Sequence, residues 1–485
     1  MKLQHLIPIV LATAASAVAK TIPNHAIANL VLGQVDFVSD SSSSPASSFS
    51  FVRPEGVVID PATGKVFVSE YENNRILRFP NYNSLTNGAG AEAVFGQTSF
   101  SNTSAGDGEQ RLSGPVGLHL DRHGRLWVAD DNNNRVLMFE AAVYRTNAPY
   151  ADKVLGQPDF VTTTSAATAA KMSNPYGVWV DDNDRLWVAD FGNNRVLRFD
   201  NVTSKSSGAS ADGVLGQPDF VTATSATTSS KFNRPESVSV SSSGTLYVAE
   251  RNNRRVLRFD NAASLADGAN ASRVYGQLDF VSNSSGLTAS TVSSLSGVLV
   301  TPDDTLWVND RGNERLLRFD NISSKPSGAA ADGVVGQKDF TSSDDTTSAR
   351  GPIDAYGQPH LDPKGNLWIA DTENNRVLRF PPDVTKPLLT VKKPAKKVTK
   401  KKLKVSGTAS DQYGVAKVQY KLGKGAVKTA SGTTSWSFNV KLAEGKNKLT
   451  VWSIDSVGNQ SPVKTIKVKY KPKKKKSSQK QLATR

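Results

Sequence analysis

LWVADFGNNRVLRF, residues 186–199, occurs in six near-copies along this chain of 485 residues. The others read VFVSEYENNRILRF from Val66, LWVADDNNNRVLMF from Leu126, LYVAERNNRRVLRF from Leu246, LWVNDRGNERLLRF from Leu306 and LWIADTENNRVLRF from Leu367. Their arginines, Arg75, Arg135, Arg195, Arg255, Arg315 and Arg376, step by 60 residues four times and then by 61. A fixed period this long means stacked supersecondary units.

Each copy carries a β-hairpin signal: two runs rich in Val, Leu and aromatics flank a polar D-x-x-N-N-R tip that favours a turn. Upstream lies a third run, Pro175 to Asp181 in this unit, leaving through an Asp-x-x-Gly turn. Downstream, after a Ser/Gly/Ala-rich stretch, comes a fourth, Gly213 to Phe220. Four strands per repeat, six times over, predict six sheets packed face to face around an axis. The pattern P-x-G-V-x-V-D-x-x-G-x-L-W-V-A-D-x-x-N-N-R-V-L-R-F resembles the NHL-repeat propellers, from about Leu30 to Phe380. The resemblance implies an all-β, six-bladed propeller.

Closure is predicted from a fourth-strand Gly-Gln signature at Gly33, Gly96, Gly156, Gly216, Gly276 and Gly336. None follows the last hairpin, while Leu30–Phe37 precedes the first blade and has no blade of its own. It should pair onto blade 6 as its outer strand, removing a sheet edge that would invite aggregation.

From Lys386 the pattern changes. Runs at 388–391, 403–406, 418–422, 436–442, 449–454 and 466–470 alternate apolar residues with lysine. They predict a small β-sandwich. V-S-G-T-A-S-D-x-x-G-V and D-S-V-G-N-Q-S-P resemble the bacterial Ig-like modules of secreted proteins. The expected organisation is a leader over 1–19, a propeller over 20–383, an Ig-like sandwich over 384–470 and a basic disordered tail over 471–485. The leader reading rests on Lys2, the apolar run Leu6 to Val18 and the small-residue pattern Ala17 to Ala19. It predicts a secreted or extracytoplasmic protein.

The chain has no cysteine, so disulfides, thiolate metal sites and a catalytic thiol are excluded. The net charge of +15 hides a split. From Lys386 onward 26 Lys and Arg face three acids, a net +23, leaving 33 bases against 41 acids, −8, in the rest. Domains so unlike have different electrostatic partners.

Within the hairpin tips one position varies between copies: Tyr71, Asp131, Phe191, Arg251, Arg311 and Thr372. The flanking acid and arginine barely change. The constant pair is expected to be structural, joining each hairpin, and the variable position to hold a ligand. Strand order puts these tips on the same face as the long Ser/Thr-rich connections such as 161–174. The polyanion candidates are Lys400, Lys401, Lys402, Lys473, Lys474, Lys475 and Lys476.

Catalysis has fewer supports. Some six-bladed propellers are lactonases or lyases with a bound metal, and His119 and His360 occupy equivalent inner-strand positions that the other blades fill with Val58, Trp179, Ser239 and Leu299. A zinc site wants three or four ligands, and no third His shares that level. The repeated acids are six equivalents where general acid–base work needs one unusual pair. The expected function is therefore a secreted, monomeric, non-enzymatic binding or scaffold protein without a cofactor. Its propeller face would take a protein, peptide or glycan, and its basic module would attach to an anionic cell-envelope polymer or membrane surface. The alternatives are a metal-assisted lyase or lactonase at the channel mouth, and nucleic-acid binding, which the acidic ring opposes.

Overall fold

A computed structural model describes residues 21–42 and 45–473. The expected leader and residues 474–485 of the tail, Lys474, Lys475 and Lys476 among them, lie outside them. Two compact units meet between Pro382 and Asp383, so Asp383 falls in the second.

The first unit is six antiparallel four-stranded sheets in a propeller. Blade 1 runs Pro54–Ile59, Lys65–Glu70, Arg75–Asn81 and Ala93–Phe95; blade 3 runs Pro175–Val180, Leu186–Asp190, Arg195–Phe199 and Gly213–Leu215. Blade 6 has an inner strand of two residues, His360–Leu361, then Leu367–Asp371 and Arg376–Phe380. Its outer strand is Leu30–Leu32, antiparallel to the last hairpin with Leu30 opposite Arg379 and Leu32 opposite Val377. The N-terminal segment thus closes the ring.

The core lies between blades. Trp127, Val136 and Met138 of blade 2 pack on Val178, Val188 and Leu197 of blade 3. Burial on both faces explains why the strands are near-continuous apolar runs. The Gly of each Gly-Gln signature has positive φ, from +78° at Gly96 to +92° at Gly336. At Gly216 a Cβ would fall 2.0 Å from the Phe232 ring, so this turn takes glycine for conformation and space together.

The repeated arginines are fully buried. Arg195 Nε donates to Asp190 Oδ2 at 2.7 Å, Nη1 to the Phe220 carbonyl at 2.5 Å, and Nη2 to the Thr168 and Lys171 carbonyls at 2.8 Å each. One guanidinium therefore fastens the hairpin, the incoming connection and the segment that follows the outer strand. The same acid pairs occur at Glu70, Asp130, Glu250, Asp310 and Asp371.

The second unit is a β-sandwich. One sheet holds Leu388–Lys392, Lys402–Ser410 and Ser435–Lys441; the other orders Lys397–Val398, Lys464–Tyr470, Gly445–Asp455, Val415–Leu422 and Lys428–Thr429. Its core stacks Tyr420 on Phe438 at 3.7 Å between ring centroids. Among the described residues no helix is long and apolar enough to cross a membrane.

Candidate functional site

P-x-G opens the inner strands that begin at Pro54, Pro115 and Pro175, and its glycine sits where neighbouring inner strands approach closely. A Cβ on Gly117 would lie 2.3 Å from the Tyr176 carbonyl oxygen, and one on Gly177 2.8 Å from that of Glu236. At the tip end of these strands the residue after the proline meets its counterparts from other blades, the Tyr176 hydroxyl lying 3.3 Å from Glu55 Oε2. That residue is Glu55 in blade 1, Tyr176 in blade 3 and Glu236 in blade 4.

Over this centre lean the tips. Arg251 grips Glu236 with both nitrogens of its fork, Nε to Oε2 at 2.5 Å. Its guanidinium also lies 4.8 Å from the Phe191 ring, 5.6 Å from Tyr176 and 5.8 Å from Tyr356. Arg311 stacks on Tyr356 at 3.8 Å, with Asp354 Oδ1 3.4 Å from its Nε. Arg53, from the residue before Pro54, lies 5.2 Å from Tyr71 and 5.1 Å from Tyr356. With Arg234, 5.0 Å from the Phe191 ring, four arginines on four aromatic rings make a cation–π network at the tip end.

The expected tip residues are thus divided. Tyr71, Phe191, Arg251 and Arg311 come together at the mouth. Asp131 is buried beside them, its carboxyl pushed up to about 6 chiefly by burial. Thr372 is buried and spent on structure, donating its hydroxyl to the Pro54 carbonyl at 2.7 Å and accepting from the Tyr356 N–H.

Glu55 is 1% exposed. Its contacts are long, 3.3 Å to the Tyr176 hydroxyl and 3.5 Å to Arg53. Burial therefore prevails over the nearby cation, and its carboxyl is pushed up to about 8. Glu236, gripped by Arg251, is also raised by burial. Between the ordinary carboxylate range and about pH 8 the folded chain holds a proton at Glu55 that the unfolded chain releases, so stability falls as pH rises through this window and levels above it. Glu55→Gln should remove that loss: a gain of about 1–3 kcal/mol near pH 8.5 and little change near pH 4.5. Denaturant melts at the two pH values check it, and parallel pH profiles for variant and parent would show Glu55 to be ionised in the fold.

At the other end of the axis, the short-turn face, the channel opens into a cavity of about 320 Å³ lined by His119, His360, Trp179, Leu299 and Asp181, among others. Burial holds both imidazoles down to about 4 and so neutral. His119 lies against Trp179 at 4.6 Å between ring centres. His123 sits in an exposed turn, away from this level.

Comparing repeats at the tips alone missed Glu55, Tyr176, Glu236, Arg53 and Tyr356. The signal lay one residue after each strand-opening proline, where Glu55, Val116, Tyr176 and Glu236 differ while their neighbours repeat.

No curated protein matches the chain. Similar solved structures include virginiamycin B lyase from Staphylococcus aureus, 13% identical with TM-score 0.40, covering 69% of this chain and 96% of that one. A protein of unknown function from Bacteroides thetaiotaomicron is 13% identical with TM-score 0.43, over 73% and 74% of the two chains. The extracellular domain of a hybrid two component system from B. thetaiotaomicron is 12% identical with TM-score 0.40, over 91% of this chain and 59% of that one. Residues 387–451 match a bacterial Ig domain. Residues 50–320, more than half of the sequence, match the Teneurin NHL domain, and the chain belongs to that family.

Proposed function

We propose that this is an extracytoplasmic binding protein whose propeller mouth takes a carboxylate-bearing peptide or acidic glycan while its Ig domain attaches to an anionic surface. The observation that carries the reading is the mouth itself. Arg53 Nε is buried without a hydrogen-bond partner, its neighbour Glu55 is held neutral, and Tyr71 and Tyr356 flank it. An incoming carboxylate would compete for the Arg53 Nη groups, whose bonds to Glu55 and Glu72 are long at 3.5 Å, with the protonated Glu55 beside it, while the rings pack on a sugar or peptide plane.

Attachment is supported by like charges set opposite one another. Lys446 pairs with Lys469 and Lys448 with Lys467 across adjacent strands, a destabilising arrangement unless anions lie over it. With Lys393 and Lys396 they line a groove of about 830 Å³. Of the lysines expected to bind polyanion, Lys400, Lys401, Lys402 and Lys473 are exposed.

Arg53→Ala or Arg311→Ala should weaken binding to uronate- and sialate-bearing glycans or carboxylate-terminal peptides by about 10-fold or more, the worth of a charged hydrogen bond. Neither change should alter retention on phosphatidylglycerol vesicles. Replacing Lys446, Lys448, Lys467 and Lys469 with Gln should do the reverse, and parent retention should collapse near ~0.5 M salt, where screening shortens to a few Å. Mouth variants that bind like the parent would remove the ligand from this site. A second reading, general acid catalysis, is favoured by the raised Glu55 carboxyl beside Tyr176; turnover of a bound glycan that Glu55→Gln abolishes would select it.

A further inference from the structure

Three carboxylates converge in the Ig unit: Asp383, its first residue, Asp411 in the turn after Lys402–Ser410, and Asp455 ending Gly445–Asp455. One oxygen from each lies within 4.8 Å of the others. Asp411 and Asp455 are two of only three acids from Lys386 to the C-terminus. They come from the S-D-x-x-G-V and D-S-V-G-N segments, which the function above does not use.

The hydrogen bonding is one-sided. Asp383 Oδ1 accepts from the Thr385 N–H at 2.9 Å and its hydroxyl at 2.5 Å, and Asp455 Oδ1 accepts from the N–H groups of Val457 at 3.0 Å and Asn459 at 2.8 Å. The other oxygens, Asp383 Oδ2 and Asp455 Oδ2, are buried with no hydrogen-bond partner among the described residues, on residues 6% and 1% exposed. Asp411, half-buried, adds a third carboxylate to the same group, so that three like charges face one another. Unpartnered buried carboxylate oxygens beside like charges are costly in a folded domain. A cation between them offsets both costs.

We infer that Asp383, Asp411 and Asp455 bind a divalent cation, calcium by preference. All three ligands are hard oxygens, with no His or Cys among them, which disfavours zinc and copper. Calcium accepts the irregular oxygen set that separate turns supply, whereas magnesium demands near-ideal octahedral geometry and gives up its water reluctantly.

Calorimetric titration of CaCl2 into chelator-treated full-length protein tests this. One saturable site is expected, with Kd between ~10⁻⁶ and 10⁻³ M, tighter for calcium than for magnesium or zinc. Asp411→Asn, at the half-exposed position, should weaken it at least ~10-fold. Circular dichroism of the variant checks its fold, and the parent's calcium-dependent rise in melting midpoint gives a readout that needs no variant. Absence of saturable binding up to about 10 mM calcium, equal affinity in Asp411→Asn, or stronger binding of zinc would each overturn the site.

Discussion

A chain that begins at Ser39 is expected to lose the cooperative melt of one beginning at Thr21, or to melt at least ~10 °C lower. Leu30, Val31 and Leu32 are 2% or less exposed, and burying three such side chains contributes about 5–9 kcal/mol. That is comparable to the whole stability of an ordinary domain, about 5–15 kcal/mol. Truncation also removes the Phe37 carbonyl that accepts from Arg376 Nη1 at 2.6 Å, and the Gln34 amide that donates to the Asn375 carbonyl at 3.0 Å. It leaves the edge of Arg376–Phe380 unpaired, so the shortened chain should also self-associate. A peptide covering residues 21–38 should restore the melt when added in excess, because it supplies the missing strand. Equal midpoints with both chains monomeric would mean that the ring does not depend on this pairing.

Arg195→Ala should destabilise the propeller by about 3–5 kcal/mol, the range for breaking a buried ion pair from one side. Both partners are 0% exposed. The variant strands the Asp190 carboxylate and leaves the carbonyls of Phe220, Thr168 and Lys171 without this donor. Arg195→Lys should recover only part of the loss, since a single ammonium cannot reach the Asp190 carboxylate and carbonyls on two further segments. The double change Asp190→Leu with Arg195→Met should cost less than Arg195→Ala alone, because no charge is then left buried. Chemical denaturation of the three variants checks the order. A variant that melts like the parent but no longer binds at the mouth would move the repeated arginines from architecture to recognition.

The six arginines show how far a repeat can be read. Each recurs with its acid five residues upstream, a spacing that a two-strand hairpin places side by side, and the structure pairs all six. Variation at the tips has more than one origin. Tyr71, Phe191, Arg251 and Arg311 reach the mouth, but Thr372 varies because the shortened inner strand of blade 6 needs its hydroxyl for the Pro54 carbonyl and the Tyr356 N–H. Variation between repeats records a local difference of any kind, and packing produces such differences as readily as recognition.

By itself the sequence determined what depends on neighbours along the chain: the 60-residue period, the hairpins, the acid–arginine pairs, and the Leu30–Leu32 strand left over to close the ring. These follow from strand alternation and turn chemistry, which act over a few residues. Which residues meet at the axis is set by how the blades pack. Glu55 and Tyr176 are 121 positions apart, and their side chains touch because inner strands of separate blades converge there. The same holds for Asp383, Asp411 and Asp455, which three separate segments bring within 4.8 Å. Sequence distance carries no information about such meetings, because the angle between blades and the packing of two sheets set them.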